Sequence, residues 1–231
     1  MRDIDIMSQI KYQEEELDKL TEELKKLTAD ILRRNEPLYF VDFLCVSILN
    51  RTFSNIAAFK LLFKVENFLA FSAIIRLQFD SLLRLFAIRI CKDKQNLAYK
   101  IVFSDKRLNQ INWKLESGKK HNLTDTFLCE QFDIIEGTSW AKKVYQQASR
   151  FVHPSGNHFF SMVQERKDTP EKFLEVSMRI PTNGKLIPSQ KDYLEAICCF
   201  NHITALICKY LISWAATKKY LSQTNRAKVM E

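Results

Sequence analysis

Neither proline nor glycine occurs between Pro37 and Gly118, a stretch of about eighty residues. Successive strands need tight turns, and glycine and proline form many of those turns. Their absence over this length favours long helices and argues against a sandwich or a barrel. With four glycines in 231 residues, the chain also lacks the Gly-rich loop of P-loop and dinucleotide-binding enzymes. Hydrophobic residues make up 46% of the chain, which is enough for a buried core. Together with the scarcity of glycine and proline, this predicts a mainly all-α fold, a helical bundle.

The N-terminal residues 4–35 have the pattern of an amphipathic helix. Its apolar seam repeats every seven residues, with further leucines at the complementary heptad positions: Ile10, Leu17, Leu24 and Ile31, then Leu20 and Leu27. This seam can pair with a copy of itself or pack along its own body, and we favour a homodimer. Pro37 ends the segment. The sequence thus predicts two parts, a coiled-coil-like helix over 1–36 and a helical bundle over 37–231.

The bundle is predicted from apolar periodicity and capping residues. The expected helices cover 38–49, 56–65, 67–91, 95–103, 105–116, 124–132, 139–152 and 190–221. Alternating apolar residues over 173–180 indicate a half-buried strand, which can pair with 159–164 as one small hairpin near 159–180. Asp105 is expected to cap one helix, and Ser189 with Asp192 to form a capping box on the last.

The charge of the chain is uneven. Its net charge is +8, and residues 1–36 hold ten acidic and seven basic residues, so residues 37–231 carry +11. A basic body can attract RNA, DNA or another phosphate surface. Ordinary solubility charge explains the same excess equally well.

The six cysteines lie in apolar segments and form no CxxC pair, which is typical of buried thiols in a reducing compartment. The charged N-terminus does not resemble a signal peptide. Two apolar segments, 67–75 and 196–208, are each shorter than a membrane span. The histidines lack metal-binding spacing, and His202 is expected to be a core residue. We predict a cytoplasmic protein with no membrane segment, metal or cofactor.

Three charged residues interrupt the most apolar predicted helix. Arg76, Asp80 and Arg84 are four residues apart and therefore share one helical stripe. Charges within a core helix must be paired or face a cavity. The first alternative is a structural Arg–Asp–Arg network, and the second is a cavity whose guanidinium groups bind an anion.

A second polar group begins at Tyr145, in the stretch YQQASRFVHPSGNHFF. Tyr145 and Ser149 share a helix face, Arg150 lies one step round, His153 ends the helix and His158 follows the turn. A histidine can move protons near neutral pH while an arginine neutralises developing phosphate charge. Alternatively, the histidine caps the helix and the tyrosine donates a structural hydrogen bond.

Residues 73–88 (AIIRLQFDSLLRLFAI) and 144–159 (VYQQASRFVHPSGNHF) together resemble a bacterial family of unknown function. That family has an Arg-rich central helix with an acidic residue after the arginine, and a later Tyr–Ser–His stretch ending in HPS. It is similar to the HEPN group (higher eukaryotes and prokaryotes nucleotide-binding) of all-α domains. The resemblance implies dimers and metal-independent RNases, often of toxin–antitoxin, abortive-infection or CRISPR defence systems.

By this resemblance, Arg150 would steady the scissile phosphate, and His153 or His158 would activate the ribose 2′-hydroxyl. The group's RNase motif separates arginine and histidine by more residues than Arg150–His153 and fewer than Arg150–His158. The sequence therefore supports two hypotheses. One is an RNA-directed effector that binds or cleaves RNA. The other is a non-catalytic scaffold whose N-terminal helix recruits a protein partner and whose Arg76, Asp80, Tyr145 and His153 set is structural.

Overall fold

The computed structural model of the protein describes residues 3–34, 36–104, 106–152, 163–168, 174–178 and 189–229. Within them the chain is an all-α bundle with two small hairpins, as the sequence predicts for its main class. The helices are α1 (Asp3–Ile31), α2 (Phe40–Lys64), α3 (Phe68–Ile90), α4 (Lys94–Phe103), α5 (Asp125–Glu136), α6 (Ala141–Val152) and α7 (Gln190–Val229). The strands are β1 (Asn112–Lys114), β2 (Lys120–Asn122), β3 (Val163–Asp168) and β4 (Leu174–Met178).

The apolar seam of α1 is buried against the protein's own body. Leu17, Leu24 and Ile31 are at most 1% exposed, and α1 packs mainly on α7 and also on α2. Gln13, a polar residue within the seam, accepts hydrogen bonds from Asn201 Nδ2 of α7. Of the two arrangements that the heptads permit, the intramolecular one is present.

A buried ion pair joins the end of α1 and the start of α2 to α7. Lys218 of α7 and Asp42 of α2 lie 2.9 Å apart, and each is 1% exposed. Lys218 Nζ also donates to the carbonyl oxygen of Ile31 at 2.6 Å, one of the carbonyls that the last turn of α1 leaves unpaired. Asp42 accepts a further bond from the Trp214 indole at 2.7 Å. These contacts fix the end of α1 against α2 and α7.

Helix α2 is continuous, so the predicted break near residues 50–55 is wrong. One of the polar residues there, Asn55, is buried and paired. Asn55 Nδ2 donates to Gln78 Oε1 of α3 at 3.0 Å, and Gln78 Nε2 donates to Thr204 Oγ1 of α7 at 3.0 Å. All three residues are buried, and their hydrogen bonds offset the cost of removing them from water. A run that resembles a loop is therefore a polar link between three helices.

Helix α3 is the central helix, as predicted. It packs against α2, α4, α5, α6 and α7, and its aromatic residues Phe71, Phe79 and Phe86 are fully buried. Asn67 caps its start by accepting from the Ala70 amide at 3.2 Å. A helix that is apolar on nearly every side needs this many neighbours.

The predicted helix over 105–116 is wrong. Residues 108–110 form a single 3₁₀ turn, and β1 and β2 then pair in an antiparallel hairpin that places Trp113 opposite His121. Gly118 occupies the turn with φ of +89°, a backbone region that glycine adopts readily. The proposed cap Asp105 lies outside the described residues.

The second hairpin is confirmed, with a shift. Strand β4 lies within the predicted 173–180, but β3 begins four residues later than the predicted 159–164, so part of the expected turn is strand. Helix α7 follows, and its capping box is confirmed. Ser189 Oγ accepts from the Asp192 amide at 3.3 Å, while Asp192 Oδ2 accepts from the Ser189 amide at 2.7 Å.

Helix α7 is also long and apolar enough to meet the criteria for a membrane span, over residues 190–223, contrary to the sequence expectation. Half of its most apolar window is buried, because α1 and α3 pack on it. Core helices of bundles meet the same criteria, so this feature is weak evidence for a membrane.

The cysteines behave as expected of buried thiols. All six are free, and Cys45, Cys91, Cys129 and Cys208 are buried. Burial raises the pKa of Cys129 and Cys208 to about 12, which keeps both thiols protonated and unreactive.

Candidate functional site

Arg76 is the centre of a polar network between α3, α5 and α6. Its side chain is 10% exposed and forms an ion pair with Asp80, one turn later on α3. Nη2 donates to Asp125 of α5 at 3.2 Å, and Nε donates to Ser149 Oγ of α6 at 3.0 Å. The guanidinium also lies over the ring of Tyr145, 3.9 Å from its centroid. One buried cation therefore binds two carboxylates, a hydroxyl and a ring face.

Tyr145 and Ser149 reach this network from one face of α6. Ser149 Oγ donates to the carbonyl oxygen of Tyr145 at 2.7 Å while it accepts from Arg76. The Tyr145 hydroxyl donates to Asp125 Oδ2 at 3.0 Å. Partial burial raises the pKa of Tyr145; Arg76 opposes this rise and Asp125 adds to it. The phenol therefore stays protonated and acts as a hydrogen-bond donor.

Two further arginines surround Asp80. Arg84 Nη1 donates to the backbone carbonyl of Asp80 at 2.9 Å, and Arg51 of α2 lies 3.8 Å from the Asp80 carboxylate. We call Arg51, Arg76 and Arg84, with Asp80 and Asp125, the arginine cluster. It holds three cations and two anions, so it carries one positive charge in excess.

The excess charge is reflected in the arginines at the edge of the cluster. Burial lowers the pKa of Arg84; Asp125 raises it again and Arg76 lowers it. Burial also lowers the pKa of Arg51, and repulsion from Arg84 and Arg76 lowers it further. Both residues are partly exposed, so a solvent anion can reach them. An anion there would relieve the repulsion between the guanidinium groups.

The start of α6 is fixed by a side chain of α5. Asp133 accepts from the amides of Ala141 and Lys142 at 3.1 and 3.2 Å, and from the Thr138 hydroxyl at 2.6 Å. Partial burial alone would raise the pKa of Asp133, but these hydrogen bonds hold it below its ordinary value of 3.8. The local residues suited to cap α6 are Thr138 and Ser139. The acceptor is instead a residue of the preceding helix, with Thr138 supporting it.

Most of the predicted polar residues meet in one place. Arg76, Asp80, Arg84, Tyr145 and Ser149 all belong to the cluster or contact it. Arg150 lies on the exposed side of α6. His153 and His158 lie outside the described residues, so their proposed catalytic roles stay predictions.

Sequence reasoning missed Arg51 and Asp125. Arg51 interrupts an apolar helix just as Arg76 does, and the same criterion would have found it if the segment had been treated as continuous. Asp125 follows the N-cap Thr124, where an acidic residue is explained by the helix dipole alone. No local signal separates that ordinary role from a contact with Arg76.

His202 differs from its prediction as a core residue. It is exposed on α7, where its ring meets Trp140 edge-on at 5.0 Å. Partial burial under this ring lowers the pKa of His202, which favours the neutral imidazole. Among the described residues, no group of three histidine, cysteine or acidic side chains is placed to hold a metal ion.

No protein-family model matches the chain, and neither the curated proteins nor the solved structures include a significant match. What the arginine cluster can bind therefore follows from its own geometry. Paired guanidinium groups beside tyrosine and serine hydroxyls are suited to binding an oxyanion, above all a phosphate.

Proposed function

We propose that the protein is an RNA-directed effector of the HEPN-like kind, and that the arginine cluster binds a backbone phosphate of RNA. The observation that carries the proposal is the excess of guanidinium groups over carboxylates at a partly buried site. Arg76 is bound within the protein by two carboxylates, a hydroxyl and a ring face, whereas Arg51 and Arg84 each use only part of their donor capacity in the contacts described above. A phosphate placed beside these two arginines would supply the missing negative charge.

Cleavage would take place near the end of α6, which carries Arg150 and leads into His153. In this proposal His153 or His158 accepts the proton of the ribose 2′-hydroxyl, and the oxygen attacks the adjacent phosphate. The bond from phosphorus to the 5′-oxygen breaks, that oxygen leaves as a hydroxyl with a proton from water, and a 2′,3′-cyclic phosphate remains. Arg150 balances the charge that develops on the phosphate oxygens. The same residues would act twice in the homodimer that the family resemblance implies. Because the heptad seam of α1 is already buried, such a dimer would use a different surface.

RNA cleavage with EDTA present tests the catalytic part of the proposal. We expect the wild type to cleave, and His153→Ala and Arg150→Ala to lose cleavage while remaining folded. Cleavage that EDTA abolishes, or that His153→Ala leaves unchanged, would contradict it.

Binding by the cluster is tested separately from catalysis. Arg51→Gln and Arg84→Gln should each weaken RNA binding by about 10- to 150-fold, because a charge-assisted hydrogen bond contributes about 1.5–3 kcal/mol. Both variants should reduce the steepness with which affinity falls as salt increases. Unchanged affinity in both would exclude the cluster as the phosphate site.

A second candidate function is a non-catalytic scaffold, favoured by the ion pairs of Arg76 with two carboxylates inside the protein. In that case the network serves stability, and a protein partner binds elsewhere, for example on the outer face of α1. The two candidates differ at the edge of the cluster. A scaffold would tolerate Arg51→Gln and Arg84→Gln without any change in its interactions with RNA.

A further inference from the structure

Four aromatic rings form an exposed patch at the junction of α2 and α4. Phe40 and Phe43 are each 40% exposed, Tyr99 is 47% exposed and Phe103 is 53% exposed. Phe40 contacts each of the other three rings, with centroids 5.0–6.4 Å apart, and Phe103 contacts both Phe43 and Tyr99. We call these four residues the aromatic patch. Contiguous exposed apolar surface often marks a binding site, whereas exposed apolar residues that are scattered singly are ordinary.

A basic strip flanks the two α4 residues of the patch, Tyr99 and Phe103, along the chain. Residues 92–122 contain eight basic and three acidic residues, so this segment alone carries +5 of the net charge. All eight basic residues are exposed: Lys92, Lys94, Lys100, Lys106, Arg107, Lys114, Lys119 and Lys120. Lys94 lies 3.6 Å from Glu116.

The patch and the strip are joined through Trp113. Lys100, the neighbour of Tyr99 on α4, places its ammonium 4.9 Å from the Trp113 ring centroid. The Trp113 indole donates to the carbonyl oxygen of Lys92 at 2.6 Å, and the Lys92 amide donates to the Lys114 carbonyl at 2.9 Å. The β1–β2 hairpin is thus fixed beside α4, and the basic residues of both elements belong to one surface.

We propose that this surface binds single-stranded RNA, with unpaired bases stacked on the aromatic patch and the backbone phosphates neutralised by the basic strip. Exposed rings combined with a track of positive charge are what single-stranded nucleic acid requires, because every base has a flat face and every linkage a charge. A second copy of the chain fits less well, since a symmetric contact would bring two basic strips together. The inference rests on the proposed action on RNA and adds where and in which form the RNA binds.

The test uses a fluorescein-labelled single-stranded RNA of twelve nucleotides, a duplex of the same length, and anisotropy titrations with the full-length protein. We expect the single strand to bind more tightly than the duplex. Tyr99→Ala with Phe103→Ala should weaken single-strand binding by about 10- to 100-fold, given about 1–3 kcal/mol for each stacked base. Tyr12→Ala is the matched control, because Tyr12 is 54% exposed on α1, and it should bind like the wild type.

Two further variants separate stacking from general effects. Tyr99→Leu with Phe103→Leu retains apolar side chains, so it should fold normally and still lose the affinity of the stacked bases. Lys106→Gln should lower the dependence of log affinity on log salt by about 0.7, the value for one single-strand phosphate contact. Wild-type affinity in the leucine variant would overturn the proposal. So would patch variants that convert a dimer to a monomer while RNA affinity stays the same.

This experiment can fail independently of the proposed function. If the wild type cleaves RNA and the patch variants bind normally, the patch assignment is wrong and the effector function stands. If the patch binds single strands but no cleavage occurs in EDTA, the assignment stands and the catalytic proposal is wrong.

Discussion

At the scale of single residues, the polar network depends on how each buried charge is paired. Arg76 is nearly inaccessible and has several partners, whereas Lys60 and Asp18 form an ion pair on the surface, with side chains 40% and 68% exposed. The two pairs differ in the cost of leaving one partner alone. A buried charge that loses its counter-ion has neither hydration nor a partner, which destabilises the folded protein. An exposed charge that loses its counter-ion is hydrated instead.

Asp80→Ala is therefore expected to lower the free energy of unfolding by about 2 kcal/mol. The value lies below that of a fully buried pair because Asp125 still binds Arg76. Asp18→Ala is the matched control, with an expected loss of less than about 0.5 kcal/mol. Urea denaturation of both variants beside the wild type measures the difference. Equal losses would mean that the network contributes no more than a surface ion pair.

At the scale of elements, side chains from one helix determine where another begins or continues. Asp133 of α5 holds the first amides of α6, and thereby positions Tyr145 and Ser149 below Arg76. Gln78 of α3 keeps the polar middle of α2 helical by pairing Asn55. In both cases the stabilising partner lies on a different helix.

Acid is expected to loosen the α5–α6 junction. Because the pKa of Asp133 in the folded protein is below 3.8, its contribution is fully present above that value and is lost as the pH falls below it. Asp133→Asn should be less stable than the wild type at pH 7 and should lose less stability between pH 5 and pH 3. Denaturation curves across this range give the change in free energy of unfolding with pH for each protein. The same change in both proteins would contradict a role for the Asp133 charge.

Gln78→Leu is expected to destabilise the protein by about 2 kcal/mol, because the buried Asn55 amide loses its acceptor. Gln9→Leu provides the control, since Gln9 pairs only with Asp5 at the surface of α1. Thermal and urea unfolding compare the two. A Gln78→Leu protein as stable as the wild type would show that leucine packing replaces the polar link.

At the scale of the whole molecule, α1 belongs to the same hydrophobic core as the rest of the bundle. Its seam residues are in one cluster with those of α2, α3 and α7, and Lys218 binds its last turn. The heptad pattern predicts a separate N-terminal helix, but α1 packs as one layer of the bundle. Association of two copies must therefore involve a surface other than this seam.

Leu24→Ala tests this arrangement. Leu24 is fully buried, so the substitution should cost about 3 kcal/mol. With an intramolecular seam, the unfolding midpoints of the wild type and of the variant should each be the same at about 1 µM and about 100 µM protein, whereas a coiled-coil dimer becomes more stable by mass action. Midpoints that rise with protein concentration would point to an intermolecular seam. Leu32→Ala, at an exposed position just after α1, is the control and should change little.

Local patterns in the sequence were sufficient for the helical class, for α3 as the central helix, and for the cap of α7. Periodicity, capping residues and the scarcity of glycine and proline act over a few residues, so they can be read without knowing the fold. They failed where a local signal had two meanings. The polar run in α2 resembles a loop. Residues 105–116 resemble a helix, because their local pattern does not show that two short strands pair across the turn at Gly118.

The sequence alone determined that the charged residues of α3 had to be paired or face a cavity, because a core helix cannot bury isolated charges. Only the tertiary structure decided that Arg51 and Asp125 join Arg76, that the seam of α1 packs on α7, and that four rings remain exposed beside a basic strip. The physical reason is common to all three. A sequence pattern shows which face of an element is apolar or charged, whereas the partner of that face depends on packing between residues far apart in the chain.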